Sequence, residues 1–270
     1  MMRRLFPVLC SVVLLALALP GRGAAADPNA AGLQDVIGTV ERSFRPDRSG
    51  LPPIEDVTAD FFQRSTIAGK GGREFRADGQ MSLKTATATE PLMFRFEYFR
   101  PTTQEIVCDG RTLWVYLREN KQVFISDVSE VFNPFRFDPV RDRAVNFLQG
   151  LGSISRDFQI LFSPQMFDPA GNFILEMTPR RSSETIAKLF MVVSRDAVLR
   201  RAGLQQGRQD FGMTRQEVPF PVLSTTVIDP DGNSTTMEFS NIRTNTRLPA
   251  IVFNFVVPPT VQLMRPPGRR

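Results

Sequence analysis

Histidine is absent from the 270 residues, and the chain has only two cysteines, one tryptophan and two tyrosines. Without an imidazole there is no Ser-His-Asp or Cys-His catalytic pair, no HExxH zinc site and no His-ligated haem. Two cysteines cannot build a disulfide-rich scaffold or a four-Cys metal site. A large excess of one charge is also missing. Lys+Arg 33 against Asp+Glu 28 gives a formal +5. A nucleic-acid partner needs a concentrated basic face, and none is visible, so no nucleic acid is expected. After the first 26 residues no apolar run approaches the length of a membrane-spanning helix. What is abundant is phenylalanine, 23 in all, within a 42% hydrophobic and 23% charged composition that is ordinary for a globular protein.

Residues 1–26 read as a cleaved signal peptide. Arg3 and Arg4 form the charged start, Val8 to Leu19 is the apolar stretch, Pro20-Gly21 breaks it, and Ala24-Ala25-Ala26 offers small residues to a peptidase. Cleavage near Ala26 predicts a mature chain from Asp27, exported and soluble. Cys10 lies inside the apolar stretch, a poor place for lipidation. Loss of the leader removes Arg3, Arg4 and Arg22 and no acid, which lowers the charge to +2. Cys108 is then the sole thiol, so no intramolecular disulfide is possible.

Asp27-Pro28 pairs an N-cap with a first-turn proline. Leu33, Val36, Ile37, Val40 and Phe44 follow at helical spacing, which predicts a helix that ends before Pro46. From Val57 the period becomes two. Strands are predicted around Val57–Phe62, Phe75–Leu83, Leu92–Tyr98, Glu105–Cys108, Thr112–Leu117 and Gln122–Ser126. Asp109-Gly110 is a favoured hairpin turn. Asp138-Pro139, then Val140, Ala144, Phe147 and Leu148, with Gly150 as a stop, predict a second helix. Further strands are predicted at Asp157–Phe162, Phe173–Met177, Leu189–Ser194, Ala197–Leu204, Thr225–Ile228, Ser234–Phe239 and Ile251–Val257. Gly207–Pro221 reads as a long loop, and Asp229 to Asn233 as a turn.

The run Leu92-Met93-Phe94-Arg95-Phe96-Glu97-Tyr98, Pro101, Ile106-Val107-Cys108-Asp109-Gly110-Arg111-Thr112-Leu113-Trp114-Val115-Tyr116 and Gln122-Val123 resembles the signature of the outer-membrane lipoprotein carrier family (LolA-like). Val57 to Gln63 is similar to its first strand, Phe147 to Phe158 to its helix-to-strand passage, and Asp229 to Val257 to its closing segment. The resemblance implies a mainly β fold with helices: an incomplete, strongly curved antiparallel β-barrel of about 11 strands covered by a helical lid. It implies one carrier domain over residues 27–260 and a flexible tail over 261–270. It also implies a periplasmic, monomeric, non-enzymatic carrier with no cofactor and no metal. Such a carrier takes lipidated proteins by their acyl chains from an inner-membrane ABC transporter to an outer-membrane lipoprotein receptor. A LolA-like lipid-binding sensor or regulatory module, or a carrier of another lipid, is the alternative.

Under that resemblance, acyl chains are expected among Phe61, Met81, Leu83, Phe94, Phe96, Tyr98, Trp114, Tyr116, Phe124, Phe239, Phe253 and Phe255. Phenylalanine suits a hydrocarbon cavity because its ring carries no polar atom needing a partner; ordinary core packing uses it equally well. Leu33, Val36, Ile37, Val40, Val140, Ala144, Phe147 and Leu148 are the expected lid. The family carries a lid-latching arginine before the proline that leads into the signature run. Here Glu90 precedes Pro91, and a carboxylate accepts but cannot donate as a guanidinium does. Glu90 is the latch-position candidate, with no latch arginine carried over.

Other chemistries fit poorly. Gly69-Lys70-Gly71-Gly72 lacks the spacing of a phosphate loop. Asp138, Asp142 and Asp157 lack oxygen-ligand loop spacing. Cys108 has no histidine to activate it. Glu90 and Glu97 as a glycosidase pair lack a recognisable cleft. Arg141, Arg143 and Arg156 form a solvated basic face or a guide for a partner or lipid headgroup.

Overall fold

The computed structural model describes residues 31–46, 50–69, 72–87, 90–128, 151–203 and 218–265. Twelve strands make up the sheet: β1 (Asp56–Ile67), β2 (Arg73–Lys84), β3 (Met93–Arg100), β4 (Gln104–Cys108), β5 (Thr112–Leu117), β6 (Gln122–Asp127), β7 (Phe158–Phe167), β8 (Phe173–Pro179), β9 (Lys188–Val193), β10 (Val222–Ile228), β11 (Ser234–Thr244) and β12 (Gln262–Met264). Their spatial order is β12-β6-β5-β4-β3-β2-β1-β11-β10-β9-β8-β7. Every pairing is antiparallel except β12 on β6, which is parallel. β7 and β12 end the order without pairing to each other. The sheet is thus a strongly curved, incomplete barrel, as the signature run implies.

Among the described residues three helices accompany the sheet: α1 (Leu33–Arg42), α2 (Ile154–Asp157), which follows a 3-10 turn at Leu151–Ser153, and α3 (Arg195–Arg201). Alternation decides which strand residues meet them. Phe173, Leu175 and Met177 of β8 and Leu189, Met191 and Val193 of β9 are buried, as are Val57, Ala59 and Phe61 of β1. These join Val36, Ile37 and Val40 of α1, Ile154 of α2 and Val198 of α3 in one apolar cluster. The helices therefore lie on one face of the sheet, the concave one.

Two hairpins share one turn chemistry. Asp168-Pro169-Ala170-Gly171-Asn172 links β7 to β8, and Asp229-Pro230-Asp231-Gly232-Asn233 links β10 to β11. In each, one Asp oxygen accepts two backbone N–H groups (2.9 and 2.8 Å in the first, 3.0 and 2.8 Å in the second). The other oxygen accepts the Asn amide at 3.0 and 2.7 Å. The glycine of each sits at φ 83°, open to glycine without steric cost. Hydrogen bonding to Asn233 holds the Asp229 carboxyl below its ordinary range.

Four expectations need correction. α1 begins at Leu33 rather than at Asp27-Pro28. Gly32 is extended there, and the Asp35 carboxylate accepts the Gly32 N–H at 2.9 Å, closing the first turn. Ala197–Leu204 is not a strand: residues 195–201 are helical, with Ser194 accepting the Ala197 N–H at 3.3 Å. Asp196 in its first turn and Arg200 and Arg201 in its last complement the helix dipole. Ile251–Val257 is not a strand either, since Ala250–Phe253 is a 3-10 turn and 254–258 is irregular. The cause lies upstream. Asn245 and Arg247 take positive φ (56° and 62°) and turn the chain out of the sheet. The buried Asp56 carboxylate holds that turn by accepting from Thr246 N and Oγ1, Arg247 N and Leu248 N at 2.7 to 3.2 Å. Finally, 262–264 of the expected tail pair with β6 as β12. The leader, the second predicted helix with Val140, Ala144, Phe147 and Leu148, and most of the 207–221 loop lie outside the described residues.

Candidate functional site

Register places Phe94, Phe96 and Tyr98 of the signature run in rows across the concave face. One row is Leu83, Phe94, Cys108 and Leu113; the next is Met81, Phe96, Ile106, Val115 and Phe124; the third is Gly79, Tyr98 and Gln104. Phe61 stands opposite Gly79 on one side and Phe239 on the other. A Cβ at Gly79 would collide with the Glu97 carbonyl oxygen and the Phe61 ring, so glycine there lets Phe61 lean over β2 towards β3. The rings form an edge-on series: Phe94–Phe96 at 6.0 Å, Phe96–Phe61 at 5.7 Å and Phe61–Tyr98 at 4.8 Å between centroids. Edge-to-face contact suits the ring quadrupole.

α1 joins the apolar cluster of this face. Val36 and Val40 are fully buried and Ile37 nearly so, with Leu33 partly buried beside them. Burial of each such side chain stabilises by about 1.5–3 kcal/mol. The C-terminal turn of α1 is fastened by polar contacts. Ser155 donates through N (2.8 Å) and Oγ (2.6 Å) to Glu41 Oε1. Arg201 on α3 donates through Nη1 to the Arg42 carbonyl at 3.2 Å. The Ile54 N–H donates to the Ser43 carbonyl at 2.7 Å.

Phe61, Met81, Leu83, Phe94 and Phe96 are buried on the concave face, and Tyr98 and Phe239 are partly buried against them. Phe124 shares the row but stays half-buried, with Val115 and Leu117, outside the packed cluster. Trp114 and Tyr116 point the other way. With Val107, Val123, Ile125, Val257 and Val261 they form a second cluster on the convex face, around Phe255. Phe255 lies 6.1 Å from Trp114 and 5.8 Å from Tyr116. Phe253 is buried in the 3-10 turn, whose Val252 carbonyl accepts from the Arg95 guanidinium at 3.4 Å. Arg95 also pairs with Glu97 and Glu105 on that convex face. Sequence reasoning missed Phe158, Ile160, Phe173, Leu175, Met177, Leu189 and Met191 as concave-face residues. Their own period-two alternation carried the signal.

Among the described residues, Glu90 is joined to α1 by no hydrogen bond or ion pair. It pairs with Lys84 at 2.9 Å, and its backbone exchanges hydrogen bonds with Thr87. The Cys108 thiol is buried on the concave face and accepts the Gly110 N–H at 3.3 Å. Desolvation pushes it up to about 12, so it is neutral at physiological pH and unfit as a nucleophile. Arg156 is exposed and paired bidentately with Asp157 at 3.0 Å; Arg141 and Arg143 lie outside the described residues.

Residues 53–209 match the family described as outer membrane lipoprotein carrier protein LolA. The chain belongs to the LolA family. Among named relatives, the outer-membrane lipoprotein carrier protein of Chromobacterium violaceum is 24% identical over 97% of this chain and 98% of its own. That of Albidiferax ferrireducens is 26% identical over 77% and 83%. A LolA superfamily protein from Nitrosomonas europaea, solved by crystallography, is 15% identical with a TM-score of 0.37, covering 82% of this chain and 97% of that one. The Chromobacterium and Albidiferax relatives are both named as carriers.

Proposed function

We propose that this LolA family member is a periplasmic carrier that holds lipoprotein acyl chains between the concave aromatic face and α1. It receives them from an inner-membrane ABC transporter and gives them to an outer-membrane receptor. The observation that carries this reading is the one-sided face itself. Aromatic and aliphatic side chains from β1–β6 line it, apolar residues of α1, α2 and α3 pack on it, and it continues past the packed cluster to half-buried Val115, Leu117 and Phe124.

The energetics suit such a site. Burial of a 16-carbon chain is worth about 12 kcal/mol at roughly 0.8 kcal/mol per methylene. No lipoprotein leaves a membrane at a useful rate unless most of that burial is replaced. The apolar side of α1 competes for the same surface, which weakens cargo binding to a reversible level. Its polar fastenings at Glu41 and Arg42 sit at the C-terminal turn.

Native mass spectrometry of the protein purified from the periplasm tests this. Bound diacyl or triacyl species are expected. A protein that carries no lipid, and binds none when offered a lipopeptide, sinks the proposal.

A further inference from the structure

The concave face does not stop where the helices cease to cover it. Beyond Phe61, β1 alternates between half-buried and exposed residues, and the first four residues of β2 are exposed. On this uncovered end lies a cleft of about 190 Å³, lined among others by Gln63, Phe75, Ala77, Tyr98, Arg100 and Gln104. Register puts Gln63, Phe75, Ala77, Tyr98 and Gln104 on the same face as Phe61 and Phe96. The chemistry changes sharply along one strand. Phe94 and Phe96 are buried among apolar neighbours. Two residues on, Tyr98 touches Phe61 with its ring and donates its hydroxyl to Gln63 Oε1 at 3.0 Å. Gln104 stands opposite Tyr98, and Arg100, its side chain 79% exposed, pairs through Nε with Asp78 at 2.9 Å.

An apolar face that gives way to a collar of hydrogen-bonding groups and a guanidinium matches an amphiphile lying lengthwise. Phe94 to Tyr98 spans roughly 13 Å at about 3.3 Å per strand residue. A chain along these rings brings its polar end to the collar. We propose that this cleft is the subsite for the oxygen-rich head of the bound lipid. The ester carbonyls of a diacylglyceryl group, with or without a phosphate, accept hydrogen bonds there from Gln104 and the Arg100 guanidinium. The proposal rests on the acyl-chain reading above. Burial raises the Tyr98 phenol above its ordinary range, so its hydroxyl stays neutral and keeps both donor and acceptor capacity at physiological pH.

The test uses the full mature chain and three pyrene-labelled probes of equal chain length: a headless hydrocarbon, a diacylglycerol and phosphatidylglycerol. Glycerol 3-phosphate serves as a chainless competitor. The unmodified protein is expected to bind a headed probe about tenfold more tightly than the hydrocarbon. Arg100→Ala combined with Gln104→Ala is expected to bring the two affinities together, with thermal unfolding recorded to show the variant folds. Loss of preference for phosphatidylglycerol alone assigns the phosphate; loss for both lipids assigns the ester oxygens. An absent preference, a preference that survives the double substitution, or tight binding of glycerol 3-phosphate without a chain overturns the subsite. If the hydrocarbon itself fails to bind, the carrier reading falls, and the subsite with it.

Discussion

Phe124 and Ile125 are neighbours on β6 that face opposite ways. Phe124 stands in the concave row with Phe96, and Ile125 in the convex cluster with Trp114. Both are half-buried, so substitution of either should leave the fold standing. Full burial of a phenylalanine is worth about 1.5–3 kcal/mol, and roughly half of that remains for a ligand to recover at Phe124. Phe124→Ala is therefore expected to weaken binding of an acyl probe by about 1 kcal/mol, or about fivefold. Phe124→Glu adds the cost of desolvating a carboxylate beside hydrocarbon, several kcal/mol, and is expected to weaken binding by about a hundredfold or more. Ile125→Glu should lower the unfolding midpoint and leave probe affinity within about twofold. Fluorescence titration with a pyrene-labelled fatty acid, with urea unfolding in parallel, measures both quantities. Equal losses of affinity at the two positions would refute the assignment of the binding face, because only one of the two lies on the concave face.

The same logic predicts that Phe96→Glu abolishes uptake and that Phe255→Glu, on the convex face, spares it; urea midpoints identify any variant that has merely unfolded. Asp56→Ala leaves the N–H groups of Thr246, Arg247 and Leu248 without their acceptor; a loss of about 3 kcal/mol or more, with faster amide exchange at those residues, is expected in urea unfolding and hydrogen exchange. The Asp229 carboxyl is held low by Asn233, so its contribution is present above the unfolded pKa and disappears as pH falls through the folded one; Asp229→Asn should flatten the stability profile below about pH 4, and an unaltered acid slope would contradict it. Cys108 should react with a maleimide at pH 8 only as fast as the protein opens, since its thiol is buried and raised to about 12; rapid labelling of the native state would contradict its placement.

Much of the sheet was legible because strands advertise themselves locally. The alternation in Phe94, Phe96 and Tyr98 needs only neighbours to be read, and the Asp-Pro-x-Gly-Asn turns close on their own side chains. The helix at 195–201 escaped because its buried residues Ala197 and Leu199 also fit a period of two; the Ser194 cap was the stronger clue. The site was legible only in part. Alternation separates two faces on each strand without saying which face the helices cover. Hence Trp114, Tyr116 and Phe255 were grouped with Phe96, although they form the opposite cluster.

The sequence alone determined eleven of the twelve strands, their hairpins and the family signature, because each depends on residues a few positions apart. Only the tertiary structure decided which aromatic residues share the covered face. It also decided that the C-terminal segment crosses the convex side and pairs with β6. Those outcomes turn on contacts such as Asp56 with Thr246 and Arg95 with Val252. Residues that far apart meet only once the chain has folded, and no local period encodes their meeting.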